Sequence, residues 1–173
     1  MTLTVCFHGA ESTGKSVLAA RLSAARGWPW VPEYGRSYAE THGTAFTIDD
    51  LLAMARGQDD ARAAALRAQP PVLLLDTDPL MTAAWARMLF GTVPEVLLGY
   101  PKADLYLLFA ADRPWVEDGT RLFGTAAARA RFAATAQDLL VETGVRWAPV
   151  SGDWAAREGQ VVAAVERALA HPC

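Results

Sequence analysis

Gly9-Ala10-Glu11-Ser12-Thr13-Gly14-Lys15-Ser16 decides how this chain is read, because it is a complete G-x-x-x-x-G-K-[ST] phosphate-binding loop. Leu3 to Phe7, just ahead of it, form a short apolar run rich in β-formers, which predicts a buried strand. Ser16 to Ala25, just behind, carry Val17, Leu18, Ala20, Leu22 and Ala25, which predicts a helix with one buried face. Strand, glycine loop and helix is the context the motif needs. Glycines let the backbone wrap an anion with its N–H groups pointing inward, and the helix start adds unpaired N–H groups and the positive end of its dipole. A nucleoside triphosphate is the implied ligand, held by Gly9, Glu11, Ser12, Thr13, Gly14, Lys15 and Ser16. Lys15 is expected on the β- and γ-phosphates and the Ser16 hydroxyl on Mg²⁺.

The strongest partner of this loop is Val72-Leu73-Leu74-Leu75-Asp76. An unbroken apolar run ending in Asp reads as a strand buried on both faces of a parallel sheet, with its last residue at the carboxyl edge. Asp76 is therefore a second expected Mg²⁺ holder. Pro79 fits the first turn of the next helix, Leu80 to Phe90, and Asp78 is either its N-cap or a second carboxylate at the ligand edge.

Between the two strands, Gly27 ends the first helix, and Trp28-Pro29-Trp30-Val31-Pro32 is an extended segment that two prolines confine to a sheet edge or a loop. It delivers Glu33-Tyr34-Gly35-Arg36, whose charges either face the ligand cleft or form a surface ion pair. Thr47 and Asp50 form a capping box that opens a long helix through about Gln69, stopped by Pro70-Pro71. Gly57 in its middle predicts a kink or close packing. Beyond Phe90 come a short helix over Val93 to Tyr100, a strand over Asp104 to Phe109, and a polar, charged loop at about 112–124. A helix over Ala126 to Thr143 capped by Gly144, a strand over Trp147 to Val150 and a closing helix through about Ala170 complete the order. This alternation predicts an α/β fold with a doubly wound, mostly parallel sheet, in one domain spanning 1–173.

Composition excludes more than it proposes. The 173 residues carry a net charge of −3, with no basic stripe or nucleic-acid motif, so no nucleic-acid partner is expected. No apolar run approaches the roughly 20 residues that span a bilayer, and no leader-like segment precedes the first strand, which makes the cytoplasm the default. Cys6 and Cys173 offer neither a disulfide framework nor a metal spacing. The oligomeric state is left open.

Taken together, the phosphate loop, Glu33-Tyr34-Gly35-Arg36, Leu75-Asp76-Thr77-Asp78 and Pro114-Trp115-Val116-Glu117-Asp118-Gly119-Thr120-Arg121 resemble, in that order, the ribosylnicotinamide kinase domain of NadR-type NAD-biosynthesis regulators and the AAA-like kinases around it. The resemblance covers nearly the whole chain, and its second and fourth pieces are far more specific than the first. It implies a P-loop NTPase fold of the adenylate-kinase-like type. The implied reaction is transfer of the ATP γ-phosphate to the ribose 5′-hydroxyl of nicotinamide riboside, a step of NAD salvage. Neither a helix-turn-helix nor an adenylyltransferase domain is expected in this chain, and Val31-Pro32 stand where those kinases tend to carry an aromatic.

Phosphoryl transfer needs in-line positioning, charge neutralisation and a carboxylate to accept the hydroxyl proton. Lys15, Ser16 and Asp76 supply the donor side, and the loop at 112–124 reads as a lid closing an arginine over the phosphates, with Arg121 first and Arg113 second. Glu33 is the favoured acceptor-side carboxylate, with Asp78 the alternative, and Arg36 pairs with Glu33 or with the acceptor. Trp30, Tyr34 and Trp115 are candidates to stack on a flat ring. Two other readings compete: a kinase of another small nucleoside or alcohol, and a regulatory ATP-binding module without catalysis. No Asn-Lys-x-Asp guanine-reading segment is present, which lowers a GTPase reading.

Overall fold

The computed structural model describes residues 1–114, 116 and 122–171. In chain order the elements are β1 (Leu3–His8), α1 (Lys15–Arg26), β2 (Trp30–Val31), α2 (Tyr34–His42), α3 (Ile48–Leu66), β3 (Val72–Leu75) and α4 (Pro79–Phe90). They continue with α5 (Glu95–Gly99), β4 (Leu105–Phe109), α6 (Ala126–Glu142), β5 (Trp147–Val150) and α7 (Trp154–Ala170). The strands form one sheet in the order β2-β3-β1-β4-β5, and every pairing is parallel. This is the doubly wound parallel sheet that the order of elements predicts.

Alternation along the central strands sorts the core into two layers. Val5 and Phe7 of β1 join Leu18 and Leu22 of α1 and Val161 and Val165 of α7 on one face. Cys6 of β1 joins Leu51 of α3, Ala83 of α4 and Phe132 and Leu139 of α6 on the other. Both faces of β1 and β3 are thus covered, which is why those strands read as continuous apolar runs. Among the described residues, no helix is long and apolar enough to cross a membrane.

Local signals set most boundaries. The Thr47–Asp50 capping box forms as expected, with the Asp50 N–H donating to Thr47 Oγ1 and the Thr47 N–H donating to the Asp50 carboxylate. α3 ends at Leu66 rather than Gln69, because the chain turns there through a left-handed Gln69 (φ 47°) before the two prolines. Gly57 marks close packing: a Cβ there would stand 2.5 Å from the Tyr34 ring. β2 is an edge strand of two residues, as its flanking prolines require.

The sequence predicts no helix over Tyr34–His42. The nine residues of α2 bury only Ala39, so no apolar period advertises them. Its N-cap residue, Glu33, makes no side-chain cap bond; instead the Tyr34 N–H donates to Gln58 Oε1 of α3 at 2.7 Å. Gln58 Nε2 also donates to the Pro32 carbonyl at 3.2 Å. A residue 24 positions away thus starts the helix and leaves the Glu33 carboxylate available for other work.

Asp78 proves to be the N-cap of α4. It is 2% exposed; its Oδ1 accepts the Leu80 N–H at 3.0 Å and its Oδ2 accepts the Tyr106 hydroxyl of β4. Both oxygens are committed inside the core. Asp78→Ala would leave two buried donors unpaired, so stability should fall by about 2–4 kcal/mol in urea denaturation. A loss under about 1 kcal/mol would show that these bonds do not hold the α4 start.

Candidate active site at the carboxyl edge of the sheet

Parallel register brings the site together. β1 pairs with β3 so that Cys6 faces Leu75, which puts the loop after His8 and Asp76 side by side at the carboxyl ends of neighbouring strands. The β2–β3 pairing continues past Leu75, where the Asp76 N–H donates to the Val31 carbonyl at 2.9 Å. The segment leading to Glu33 is thereby tied beside Asp76.

The loop needs its two glycines for different reasons. Gly9 lies at φ 124°, and a Cβ there would sit 2.6 Å from the Phe109 carbonyl of β4. Gly14, the N-cap of α1, lies at φ 87°, and a Cβ would strike the Trp154 indole of α7 at 2.7 Å. Inside the loop, Lys15 Nζ donates to the carbonyls of Gly9 (3.0 Å) and Ala10 (2.7 Å), and Thr13 Oγ1 donates to the Ala10 carbonyl at 2.9 Å. The ammonium thus turns the loop around its own cation. Burial lowers the Lys15 pKa from its ordinary value, opposed by Asp76, Glu33 and Glu11 nearby.

Asp76 is 1% exposed and its pKa is raised, first by burial, against the pull of Lys15, the Ser16 hydroxyl bond and Arg36. Its Oδ1 is buried without a protein partner. A buried carboxylate oxygen without a partner, beside the Ser16 hydroxyl, is a donor set that fits a hard divalent cation such as Mg²⁺. The residue between the two aspartates is strained: Thr77 lies at φ 89°, rare for a β-branched side chain, with its hydroxyl buried and unpaired.

A cleft of about 330 Å³ opens from this edge. It is lined by the loop from Glu11 to Ser16 together with Glu33, Arg36 and Thr77, and by the apolar side chains Phe46, Met54, Met81, Trp85 and Phe132. The Trp85 indole stacks on Phe123 (5.1 Å between centroids) and meets Phe132 edge-on (5.2 Å). Sequence reading placed Trp85 and Phe132 in the core; they pack there and face the cleft as well. Burial, and then the Asp76 charge, push the Glu33 carboxyl up to about 7, while Lys15 and Arg36 pull it down.

The structure brings Gly9, Glu11, Ser12, Thr13, Gly14, Lys15, Ser16, Glu33 and Arg36 to one cleft, with Asp76 beside the loop. Four expected contributors are elsewhere. Trp30 packs against the core layer of α1 and α7 and does not line the cleft. Asp78 is locked in the core as a cap. The Tyr34 ring lies over Gly57 and is not part of the cleft wall. Arg113 sets its guanidinium over the Trp154 ring at 5.2 Å rather than in the cleft. Arg121 and Trp115 lie outside the described residues. Glu11 and Ser12 do more than line the loop: Glu11 Oε2 accepts the N–H groups of Leu122 and Phe123, and Ser12 Oγ accepts that of Val116. Two residues of the phosphate loop thus hold the base of the expected lid.

The Glu33 environment has a measurable signature. A carboxyl raised from 4.5 to about 7 binds its proton more tightly in the folded chain, so it stabilises the fold below about pH 4.5. That contribution is lost as pH rises through about 7. Glu33→Gln should therefore flatten the decline of stability between these values, read as the difference from wild type in urea titrations. Parallel curves would mean that the carboxyl titrates at its ordinary value.

Comparison with known proteins places the chain. The AAA domain family matches residues 4–157. The trifunctional NAD biosynthesis/regulator protein NadR of Escherichia coli strain K12 is 32% identical over 146 residues, which cover 80% of this chain and 35% of that protein. This chain therefore matches only about a third of its curated relative's length. A crystal structure of NadR in complex with NR superposes with a TM-score of 0.76 at 22% identity, covering 96% of this chain and 49% of that one. Thymidylate kinase from Candida albicans gives a TM-score of 0.69 at 16% identity, covering 96% and 92%. At those identities the two structures speak for the fold. The chain belongs to the AAA domain family, and it shares its P-loop kinase fold with NadR.

Proposed function

We propose that the chain is an ATP-dependent nucleoside kinase that phosphorylates the 5′-hydroxyl of nicotinamide riboside to give the mononucleotide. One observation carries this reading. One cleft is lined by both the phosphate loop and an apolar, aromatic set, and burial pushes the carboxyl lining it, Glu33, up to about 7. A general base works best with a pKa near the working pH. The likeness to NadR, whose structure with NR shares this fold, supports the choice of acceptor.

On the donor side, Lys15 releases its own loop carbonyls and meets the β- and γ-phosphates. Ser16 and Asp76 would hold Mg²⁺, which supplies charge neutralisation at the transferred group. Glu33 takes the proton of the attacking hydroxyl, and Arg36, whose charge acts on both Glu33 and Asp76, limits how far their pKa values rise. Arg121 is the proposed lid arginine. The apolar wall of Phe46, Met54, Met81 and Trp85 receives the flat ring of the acceptor by contact area and stacking.

Glu33→Gln keeps shape and hydrogen bonding but cannot accept a proton. Phosphorylation of nicotinamide riboside should fall by about 10²–10⁴-fold. ATP hydrolysis without acceptor, where water replaces the hydroxyl, should fall far less in the same preparation. A variant that phosphorylates the riboside at the wild-type rate removes Glu33 from the chemistry. A wild-type protein that ignores the riboside but phosphorylates another nucleoside keeps the mechanism and overturns the acceptor.

A further inference from the structure

Arg157 is a completely buried arginine, with no exposed surface, on the core-facing stripe that α7 otherwise fills with Val161, Ala164, Val165 and Ala168. A buried guanidinium is costly unless its fork of donors is satisfied. Here the fork reaches three separate chain segments. Nε donates to the Gly152 carbonyl in the turn after β5 at 2.8 Å. Nη1 donates to the Thr13 carbonyl inside the phosphate loop at 3.0 Å. Nη2 donates to the Ala110 carbonyl just past β4 at 3.2 Å, and to the Asp112 carboxylate at the start of the lid region.

Asp112 closes the ring, since its other oxygen accepts the Gly152 N–H at 2.8 Å. The guanidinium also lies 5.6 Å from the centre of the Phe109 ring, the residue whose carbonyl abuts Gly9. The phosphate loop, the lid base and the β5–α7 turn are therefore fastened to one rigid, planar cation. A point-charge ammonium cannot bond all three segments in this geometry.

We propose that Arg157 is a positioning residue, which couples the phosphate loop to the lid base so that nucleotide seated in the loop fixes the lid's starting geometry. It acts through the Thr13 carbonyl on one side and through Ala110 and Asp112 on the other. A structural arginine would only hold α7 onto the sheet. A coupling arginine makes residues 111–113 respond to what the loop binds. This inference rests on the loop being a nucleotide site and does not depend on which acceptor is used.

The test compares wild type with Arg157→Lys, and with Asp112→Asn as a second variant that leaves the buried arginine in place. Amide hydrogen exchange of residues 111–113 is followed with and without AMP-PNP and Mg²⁺, no nucleoside being present. The Kd for N-methylanthraniloyl-ATP is measured alongside, again without nucleoside. In wild type, nucleotide should slow exchange at 111–113. In both variants that response should be lost, and nucleotide Kd should rise, by about tenfold or more in Arg157→Lys. The KM for the nucleoside acceptor should stay within about twofold while kcat falls.

Variants that melt earlier but keep the wild-type exchange response and nucleotide Kd would overturn the proposal, leaving Arg157 a packing residue. If Arg157→Lys does not fold, Asp112→Asn alone decides by the same two readouts. Failure of the kinase reading shows separately, as a wild-type protein that binds nucleotide and phosphorylates no nucleoside.

Discussion

Everything at this site depends on the parallel register that puts β1 between β3 and β4. With Cys6 opposite Leu75 and Tyr106, the three strands end at one level, and their next residues are Gly9, Asp76 and Ala110 within a residue or two. The phosphate loop, Asp76 and Ala110 are therefore neighbours by pairing alone. Gly9 records how tight this is, since a Cβ would press on the Phe109 carbonyl. A slip of one residue would turn Cys6 toward α1 and α7 and carry the loop away from Asp76.

That proximity creates an electrostatic cost, and the site is arranged around it. Burial raises the pKa of both Asp76 and Glu33, and the Asp76 charge raises Glu33 further, so neither ionises freely without a cation nearby. Among the described residues, Lys15 and Arg36 are the cations that act on them. Lys15 is spent on its own loop carbonyls and is itself held below its usual pKa by burial. Charge brought by a phosphate and a divalent cation would suit each of these groups. The strain at Thr77, left-handed between two aspartates, sits at the same edge and fits a site whose geometry is set by its neighbours rather than by local preference.

Local chemistry makes much of this legible in the sequence. The phosphate loop, the strand ending in Asp76, the capping box at Thr47–Asp50 and the edge strand between prolines are signals confined to a few residues, and they form where expected. What was hidden is carried by long-range partners. α2 begins because Gln58 caps it from α3, and no spacing within Tyr34–His42 reveals that. The aromatic wall of the cleft reads as core, because a helix face that buries apolar side chains looks the same whether it meets another helix or an open pocket. Arg157 left a faint trace: an arginine at a position of α7 whose period, Val161, Ala164, Val165 and Ala168, assigns it to the core. Asp78 shows the opposite case: of the two roles its position allowed, the α4 N-cap is the one that forms, with its other oxygen taken by the Tyr106 hydroxyl.

The central claim is that one cleft both activates a nucleoside triphosphate and presents an acceptor hydroxyl to Glu33. A panel of nucleosides, each paired with its 5′-deoxy analogue, incubated with wild-type protein, ATP and Mg²⁺ and read by mass spectrometry, tests it most directly. The account predicts a phosphorylated product from nicotinamide riboside and none from the analogue lacking the 5′-hydroxyl. Slow release of phosphate that is the same with every nucleoside and with none, and no phosphorylated nucleoside, would contradict it.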